Sequence, residues 1–404
     1  MPLSGSLRAL AAPLKASCSQ STVSLLRPAS VSVILRRMST TDRLEKRALS
    51  STAPLRVGLI GSGMMGFEHI RNLALQDDLH FAALADPNPP SRKLGRNTAK
   101  HRIAEYEDAI EMLDQESLDA VIIASPNFTH AAILDEVLDR PLHVLVEKPL
   151  CTTLEDCDRV VAACVDRTPI TWVGMEYRYM PPVARLVEEI RGGFAGNLRM
   201  LAIREHRFPF LKKVDDWNRF NRNTGGTLVE KCCHFFDLMN LIVDREPVRV
   251  FASGAQDVNH LNETYGGEIP DILDNAYVMV EYEGGVRALL DLCMFAEASR
   301  NEQEICATGD RGKIECFIPE SLIVLGERKG RTIKEIPIEV DKDVLEAGFH
   351  HGATYYQQRA FADAIREGRS ADIDVEAGRK AVAIGVAAQQ SIETGNPIEL
   401  SSLA

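Results

Sequence analysis

The sequence predicts an α/β protein in two parts, a doubly wound parallel sheet followed by an α+β domain with an open, mostly antiparallel sheet. At 404 residues the chain is long enough for two such cores. Short apolar strands alternate with amphipathic helices in the first half, which is typical of a parallel sheet covered on both faces. Beyond residue 178 the strands are longer and alternate in polarity, which indicates a sheet with one covered face.

The first strand and helix enclose a glycine-rich turn. The apolar run 55–60 precedes Gly61-Ser-Gly-Met-Met-Gly66, and the helix-like stretch His69-Ile-Arg-Asn-Leu-Ala74 follows it. This strand, turn and helix context predicts a dinucleotide-binding turn and therefore a Rossmann domain, whereas the glycines alone are a weak signal.

Each position of this turn has a predicted contact. Gly61 makes the tight turn, Gly63 admits a pyrophosphate against bare backbone, and Gly66 lets the helix approach the sheet. Met64 and Met65 stand at the amino terminus of the helix, which faces the phosphates.

An acid at the end of the second strand completes the predicted cofactor site. Asp86 follows the strand Phe81-Ala-Ala-Leu-Ala85, about 20 residues after the last glycine of the turn, where a carboxylate accepts the ribose hydroxyls. It would repel a 2′-phosphate, so NAD is predicted as the cofactor. NADP stays possible because the nearby side chains in 91–93 are a serine, an arginine and a lysine.

The remaining elements of the first domain alternate as a parallel sheet requires. They are predicted as helix 106–113, strand 118–124, helix 131–138, strand 143–146, helix 153–165 and strand 170–173. Ser125, Asn127 and His130 lie in the turn after the strand 118–124, and Glu147 and Lys148 follow the strand 143–146. Because open parallel sheets bind ligands at the carboxyl ends of their strands, all five are predicted to face the cofactor.

The second domain is predicted to carry an oligomer surface. Its predicted elements are the helix 182–190, the strands 198–204, 248–254, 276–282 and 286–294, a hairpin turn at 283–285, and the helices 355–366 and 375–394. The uncovered face of such a sheet would expose a large apolar patch, so we expect a homodimer or homotetramer.

The amino terminus has a different composition. Residues 1–41 contain no acid, and five basic residues are spread among serines and alanines. This pattern predicts an organellar transit peptide within residues 1–50, with a mitochondrial destination favoured over a plastid or the cytoplasm. A disordered extension that is never removed is the alternative. The predicted domains are therefore 54–175 and 176–404.

Composition excludes several partners. The formal charge of −12 and the isoelectric point near 5.4 argue against nucleic acid. The sequence contains no run of about eighteen apolar residues, so no membrane span is predicted. The nine cysteines form no C-x-x-C pair and no zinc-ligand spacing, so they are predicted to be reduced thiols and no metal is predicted.

Lys148 is the first candidate for chemistry. It precedes Pro149 at the carboxyl end of a strand and would project towards the nicotinamide end of the cleft. An ammonium there can donate a hydrogen bond to a substrate oxygen. The alternative is an ordinary surface loop.

The segment from Gly225 to Ile242 holds the second candidate. Its apolar positions repeat at helical spacing, and Glu230, His234 and Asp237 can share one helical face. A histidine oriented by a carboxylate suits general acid–base chemistry. A histidine packed within the core is the alternative, and half of a metal site is a second one.

These parts in this order resemble the Gfo/Idh/MocA family of oxidoreductases over about residues 54–400. The resemblance is carried by the glycine turn, Asp86-Pro87, Ser125-Pro-Asn-Phe-Thr-His130, Glu147-Lys-Pro149, Tyr177-Arg-Tyr-Met-Pro-Pro182, Gly225-Gly226 and the pair His234 and Asp237. Their ordered set is specific, although each mark alone is common.

The resemblance implies roles for single residues. It implies that Lys148 belongs to the reactive site, with a cis bond to Pro149, and that His234 accepts the proton. Glu230 stands where relatives such as inositol dehydrogenases carry aspartate, and we predict that it orients the imidazole. Trp217, with its neighbours in 204–219, falls in the region that supplies substrate contacts in the family, and Arg178 is a further candidate for substrate. Lys231, where many relatives have a small residue, would point to solvent or bind an anionic substrate.

The function predicted from this resemblance is hydride transfer between a nicotinamide and a secondary alcohol of a polyol, inositol or sugar. Two alternatives stay open. One is an NAD-dependent glycosidase that oxidises its substrate transiently, and the other is a non-catalytic protein that binds NAD(H) and regulates a partner.

Overall fold

The computed structural model describes residues 53–403, which form two β-sheets with helices packed between and around them. The strands are β1 (Leu55–Ile60), β2 (Leu79–Ala85), β3 (Ala104–Tyr106), β4 (Ala120–Ile123), β5 (His143–Glu147), β6 (Thr171–Gly174), β7 (Leu198–His206), β8 (Pro247–Ala255), β9 (Asn275–Tyr282), β10 (Arg287–Cys293), β11 (Gln303–Gly309), β12 (Gly312–Ile318), β13 (Leu322–Glu327), β14 (Thr332–Pro337) and β15 (Ile398–Glu399).

The α-helices follow the same order along the chain. They are α1 (Met64–Leu73), α2 (Pro89–Thr98), α3 (Ala109–Gln115), α4 (His130–Val137), α5 (Leu154–Cys164), α6 (Pro181–Arg191), α7 (Asn221–Thr224), α8 (Thr227–Glu230), α9 (Cys233–Val243), α10 (Lys342–Glu346), α11 (Ala353–Glu367) and α12 (Val375–Thr394).

The first sheet has six parallel strands in the order β3-β2-β1-β4-β5-β6. This is the strand order of the dinucleotide-binding Rossmann fold, which confirms the predicted doubly wound domain. The order reverses between β1 and β4, so the turns after these two strands, at Gly61 and Ser125, open on either side of the same crevice.

The second sheet has nine strands in the order β14-β13-β12-β11-β7-β10-β9-β8-β15. All neighbouring pairs are antiparallel except β7 and β10, which are parallel. Side chains such as Ile203, Val250 and Leu290 alternate inwards and are buried, while their neighbours along each strand point outwards. The predicted open, mostly antiparallel sheet is confirmed.

The carboxy-terminal helices return to the first domain. Helix α11 packs against α1, and α12 packs against α5 as well as against α9 and β8. Small buried residues of α12 such as Gly378 and Gly385 permit this close approach: a Cβ on Gly385 would stand 2.7 Å from the carbonyl oxygen of Leu228. The two sheets are therefore joined by helices as well as by the chain that links β6 to β7.

Two local predictions are wrong. Residues 106–113 do not form one helix, because Tyr106 ends the edge strand β3 and Asp108 then caps α3 by accepting the amide of Glu111. The long helix predicted beyond Gly226 is broken into α8 and α9 by a turn at residues 231–232. Strands β11 to β14 were not predicted, because their alternating pattern includes many partly buried polar positions.

The predicted transit peptide lies outside the described residues and stays a prediction. None of the helices in the described part of the chain is long and apolar enough to cross a membrane. The eight cysteines of residues 53–403 are free thiols.

A buried carboxylate ties α1 to the segment before α11. Both oxygens of Glu68 lie 3.0 Å from Nδ1 of His350, one accepts a hydrogen bond from Thr354 at 2.8 Å, and the other accepts the amide of Phe349. Burial alone would raise the pKa of Glu68, but the charge of His350 and these hydrogen bonds outweigh it and lower the pKa to about 2. The helix that follows the glycine turn is thus anchored to the carboxy-terminal part of the chain.

We expect Glu68→Gln to lower the free energy of unfolding by about 3 kcal/mol, the cost typical of removing one partner of a buried ion pair. The carboxylate stabilises the fold above its ordinary pKa of 4.5 and loses this contribution as pH falls towards 2. His350, whose pKa is raised, contributes fully below 6.5 and less as pH rises.

The loss should therefore be largest between pH 4.5 and 6.5, as measured by urea unfolding of both proteins across pH. Glu297→Gln, at an exposed position, is the matched control. An equal loss at every pH would contradict the ion pair.

Candidate functional site

The glycine turn has the shape that a dinucleotide needs. Gly61 has a φ of +89°, and a Cβ there would stand 2.6 Å from the carbonyl oxygen of Ala124. A Cβ on Gly66 would come within 2.2 Å of the carbonyl oxygen of Gly61, so only glycine permits α1 to begin so close to β1. A Cβ on Gly63 would meet nothing within 4 Å, which leaves open space against bare backbone at the amino terminus of α1.

Asp86 holds this turn from the end of β2. Its Oδ2 accepts hydrogen bonds from the amide and hydroxyl of Ser62 at 2.7 and 3.1 Å, and its Oδ1 accepts the amide of Asn88 at 2.8 Å. The carboxylate therefore lies beside the glycine turn, where a ribose would follow a bound pyrophosphate. Arg92 donates a hydrogen bond to the backbone carbonyl of Asp86.

The turn after β4 forms the opposite wall of the crevice. Nδ2 of Asn127 is buried and has no hydrogen-bond partner within the described chain, and Ser125 accepts a hydrogen bond from Thr129. His130 is fully buried and places Nδ1 2.8 Å from the carbonyl of Pro149 and Nε2 3.2 Å from that of Ser125. The imidazole of His130 thus fixes two loops, and the structure gives it this supporting role instead of the predicted contact with a cofactor.

Glu147, at the end of β5, also has a supporting role. Its carboxylate lies 2.8 Å from Nε2 of His69 on α1, and both side chains are buried. Burial opposes ionisation of Glu147, but His69 outweighs it and lowers the pKa. The side chain predicted to contact a cofactor therefore joins β5 to α1.

Lys148 reaches across the crevice. Its Nζ donates a hydrogen bond to the carbonyl oxygen of Glu230 at 3.0 Å, and the bond to Pro149 is cis, as expected from the family resemblance. Burial would lower its pKa, but Cys233, Glu230 and Glu176 outweigh burial and raise it. Lys148 is therefore an ammonium at neutral pH, and its tip contacts the second domain.

Glu230 does not orient His234, which corrects the predicted arrangement. One oxygen of the Glu230 carboxylate pairs with Nζ of Lys213 at 3.1 Å, and the other is buried with no hydrogen-bond partner in the described residues. The ammonium of Lys213 stands 4.4 Å from the ring of Trp217, whose ring in turn meets Phe128 at 6.0 Å. Trp217 thus stands between the second domain and the turn that holds Asn127.

His234 lies at the first turn of α9 and is buried. Its ring stacks on Tyr177 at a centroid distance of 4.0 Å, and its Nε2 is 3.7 Å from Oε1 of Glu176, while Nδ1 has no partner in the described chain. Burial and the charge of Lys148 hold its pKa well below the ordinary value. The imidazole is therefore neutral and able to accept a proton.

Lys231 is neither solvent-facing nor free for an anion, contrary to both predictions. It is buried, with Nζ 2.7 Å from the hydroxyl of Tyr177 and 2.8 Å from the carboxylate of Glu205. Arg207 adds a second cation on Glu205 at 3.3 Å. This cluster forms the wall behind Tyr177.

Arg178 is engaged elsewhere, which corrects its assignment to substrate. Its guanidinium forms two hydrogen bonds with the carboxylate of Asp237 at 2.5 and 2.6 Å. Asp237 therefore pairs with the segment after β6 and does not share a functional face with His234. Arg204 and His206 both contact Asp291 on the outward face of the second sheet.

Two residues at the site were not predicted. Glu176 follows β6, and the rule that places ligands at the carboxyl ends of parallel strands applies to it as it does to Lys148. His350 carried no local signal, because it reaches the site from a point 116 residues beyond His234 in the sequence.

The residues present fit a nicotinamide dinucleotide. The carboxylate at the end of β2 suits the adenosine ribose, the open space beside Gly63 suits the pyrophosphate, and the buried amide of Asn127, unpartnered in the described chain, is a donor on the opposite wall for the nicotinamide half. Lys148 and His234 stand at its inner end. Fold and site together define a dinucleotide-binding oxidoreductase.

Comparison with known proteins agrees with this class of protein. Residues 55–175 match the model of an oxidoreductase family with an NAD-binding Rossmann fold, and residues 187–400 match the carboxy-terminal alpha/beta domain of the same family. The chain belongs to the Gfo/Idh/MocA oxidoreductase family, which confirms the predicted membership, the NAD-binding domain and the enzyme class.

Individual relatives extend over nearly the whole described chain. Myo-inositol 2-dehydrogenase of Thermotoga maritima is 25% identical over 356 residues, which are 86% of this chain and 99% of the relative. Scyllo-inositol 2-dehydrogenase (NAD(+)) of Bacillus subtilis is 24% identical over 86% of this chain and 96% of its own. A solved levoglucosan dehydrogenase in complex with NADH and levoglucosan shares the fold, with a TM-score of 0.75, 19% identity and coverage of 86% of this chain and 99% of its own.

Gly63→Ala and Gly66→Ala should separate cofactor binding from folding. A methyl group at Gly63 enters open space, so we expect little change in the unfolding midpoint but an NADH dissociation constant at least about tenfold higher, or about 1.4 kcal/mol. A methyl group at Gly66 meets backbone and should destabilise the protein by about 1–3 kcal/mol.

NADH fluorescence titration and thermal unfolding of the same samples measure the two effects. Gly326→Ala is the control, since a Cβ there meets nothing closer than 3.7 Å. Unchanged NADH binding by Gly63→Ala would contradict the placement of the pyrophosphate.

Proposed function

We propose that this protein is an NAD-dependent dehydrogenase that oxidises or forms a secondary alcohol on a polyol, an inositol or a related sugar. The observation that carries the proposal is the approach of Lys148 to the turn that leads into His234, which brings an ammonium and a neutral imidazole to the same end of the crevice. The relatives named as inositol 2-dehydrogenases, and the neighbour solved with levoglucosan, support this substrate class.

The two side chains have complementary roles in this proposal. Lys148 donates a hydrogen bond to the alcohol oxygen and stabilises negative charge on it, and His234 accepts the hydroxyl proton. Bound NAD supplies the hydride acceptor. Tyr177 fixes the plane of the imidazole by stacking, so the ring does not depend on a hydrogen bond to hold its orientation.

The charges around the site favour a neutral substrate over an anion. Lys213 is paired with Glu230, and Lys231 is paired with Glu205, so neither cation is free for a carboxylate or phosphate. Buried atoms without a hydrogen-bond partner in the described chain, including Oε2 of Glu230 and Nδ1 of His234, are suited to hydroxyl groups. A polyhydroxylated neutral molecule matches this set.

NAD is proposed over NADP because of Asp86. Its carboxylate already accepts hydrogen bonds on both oxygens from the glycine turn and the chain after β2, which fixes a negative charge where a 2′-phosphate would lie. Arg92 donates a hydrogen bond to the backbone carbonyl of Asp86 and not to its carboxylate.

The test is an assay of inositols, aldoses and their lactones with NAD and with NADP, monitored by nicotinamide absorbance. We expect turnover of at least one alcohol with NAD preferred. His234→Ala should lower kcat/KM by about 10²- to 10⁴-fold, because the proton acceptor is lost, while NADH binding stays unchanged. His80→Ala, an exposed histidine outside the site, is the matched control.

Two results would overturn the proposal. One is full activity of His234→Ala on the best substrate. The other is release of sugar from aryl glycosides without accumulation of NADH, which would favour the glycosidase.

We also propose that the outward face of the second sheet joins two copies of the chain. An apolar row crosses five strands in register, and consists of Cys306, Ala202, Leu289, Met279 and Phe251. Tyr277, 61% exposed, stands beside this row. An apolar row of this extent on a sheet is suited to a second copy of itself.

Charged pairs border the apolar row on both sides. Arg204 pairs with Asp291 and Glu304 along one border, and Arg249 pairs with Glu281 along the other. Because each border carries both signs, two copies related by a twofold axis can meet without a net repulsion.

Leu289→Asp should convert the dimer into a monomer, because it places a charge in the middle of the apolar row. Light scattering coupled to size-exclusion chromatography measures the mass directly. Val165→Asp, at a 75% exposed position at the end of α5, should leave the mass unchanged. A wild-type protein that is monomeric at micromolar concentration would contradict the proposed interface.

A further inference from the structure

Glu176 is a buried carboxyl group without a hydrogen-bond partner in the described part of the chain. It is 1% exposed at the carboxyl end of β6, and neither of its side-chain oxygens is hydrogen-bonded. A buried carboxylate in this condition is costly unless it carries a proton or is balanced by nearby charges. Its surroundings therefore indicate what it does.

Two imidazoles face the same oxygen of Glu176. Oε1 lies 3.7 Å from Nε2 of His234 and 3.9 Å from Nε2 of His350. Nδ1 of His350 is held by Glu68 at 3.0 Å, which directs the other nitrogen towards Glu176. The three side chains form a row from the proposed proton acceptor to the anchor on α1, with gaps of 3.7 and 3.9 Å between them.

The two ends of this row differ in their access to water. The side chain of His234 is 2% exposed, whereas that of His350 is 23% exposed. A proton taken up by His234 has no direct route to bulk water, whereas a proton that reaches His350 can pass to water. Glu176 is the titratable group between them.

Charges from the other elements act on this row as well. Burial and the carboxylate of Glu147 at the end of β5 raise the pKa of Glu176 to about 7, against the opposing charges of His350 and Lys148. A carboxyl group that titrates near neutral pH can both accept and release a proton.

Further cations lower the pKa values of His234 and His350. Lys231, before α9, lowers the pKa of both His234 and His350, and Arg207, after β7, lowers that of His234. Burial also lowers the pKa of His350, but Glu68 outweighs it and raises the value.

We propose that Glu176 is a positioning residue that relays protons between His234 and His350, and so connects the buried imidazole to solvent. The inference rests on the proposed dehydrogenase function, in which His234 must release one proton for each alcohol oxidised. Each gap in the row is about 1 Å longer than a hydrogen bond, so a small side-chain movement completes it.

The steps balance in the direction of oxidation. The O–H bond of the alcohol breaks and an N–H bond forms on His234, and NAD, when bound, would accept the hydride from the carbon that carries this hydroxyl. The imidazolium of His234 then gives a proton to the carboxylate of Glu176. Glu176 passes it to Nε2 of His350 once that imidazole has released its own proton to water. Reduction of the ketone uses the same steps in reverse.

Glu176→Gln tests the relay, because glutamine keeps the shape of the side chain and removes its titration. We expect kcat to fall about tenfold in dilute buffer, the ionisation near pH 7 to disappear from the pH profile, and added imidazole buffer to restore much of the rate. His350→Gln should also lower kcat in dilute buffer and recover with imidazole, although it keeps the ionisation of Glu176, and it serves as the second variant if Glu176→Gln fails to fold.

His351→Asn is the matched control. It lies next to His350 in the sequence, has a φ of +53° that asparagine tolerates, and has no place in the row. We expect its pH profile and its response to buffer to match the wild type. A loss of activity in Glu176→Gln that buffer does not restore, with an unchanged pH profile, would overturn the relay and indicate a structural role.

A second measurement is independent of turnover. In the full chain labelled with ¹⁵N-histidine, Glu176→Gln should move the titrations of His234 and His350 by about one pH unit and leave His80 unchanged. If no alcohol is oxidised but these titrations move, the proposed function fails while the coupled row stands. If neither titration moves, the relay is wrong whatever the substrate.

Discussion

The hydrogen bond from Lys148 to the carbonyl of Glu230 is the contact on which the site depends, because it is where the end of a strand in the first sheet meets the helical segment of the second domain. It requires that β5 end at the crevice, that the chain turn immediately after Lys148, and that α8 end at Glu230 with its carbonyl free of a helical partner. The break between α8 and α9 supplies this last condition: an uninterrupted helix would engage that carbonyl in its own ladder. A local departure from helical regularity thus becomes the point at which two domains share a site.

Buried charge surrounds this contact, and the structure compensates nearly all of it locally. Glu147 is paired with His69, Glu68 with His350, and Lys231 with Glu205. Such pairs seldom increase stability over apolar residues of the same size, because desolvation of both ions offsets their attraction. They do restrict how the pieces fit together, since any other packing would leave a charge buried and alone. Helix α1 is linked by these pairs to β5 and to the segment before α11, and the turn before α9 is linked to β7, so buried ion pairs help to fix the elements that surround the crevice.

The sequence was sufficient for features that depend on local spacing. The glycine turn, the acid at the end of β2, the strands β1, β2, β4, β5 and β6 and the hairpin at 283–285 all follow from patterns within a few residues. It was insufficient where the partner is distant. Spacing alone assigned Glu230 and Asp237 to His234, but Lys213 and Arg178 bind these carboxylates in the folded chain, and neither pairing has a sequence signature. The rule that ligands bind at the carboxyl ends of parallel strands located Lys148 and could also have located Glu176. His350 could be found only from the folded chain, in which α11 packs against α1.

The neutral state of His234 explains why the site needs both lysine and a group behind the imidazole. The charges of Lys148 and Lys231 disfavour a further positive charge on His234, which keeps its imidazole neutral but also makes the imidazolium a short-lived species. A base weakened in this way is useful only if the proton can leave quickly, and the stacked, buried ring offers no contact with bulk water. Glu176, whose pKa is raised to about 7, lies between the imidazole and the more exposed His350 and resolves this conflict. In the proposed mechanism, the ammonium of Lys148 that contacts the substrate oxygen and the carboxyl group of Glu176 that removes the proton are therefore two parts of one electrostatic requirement.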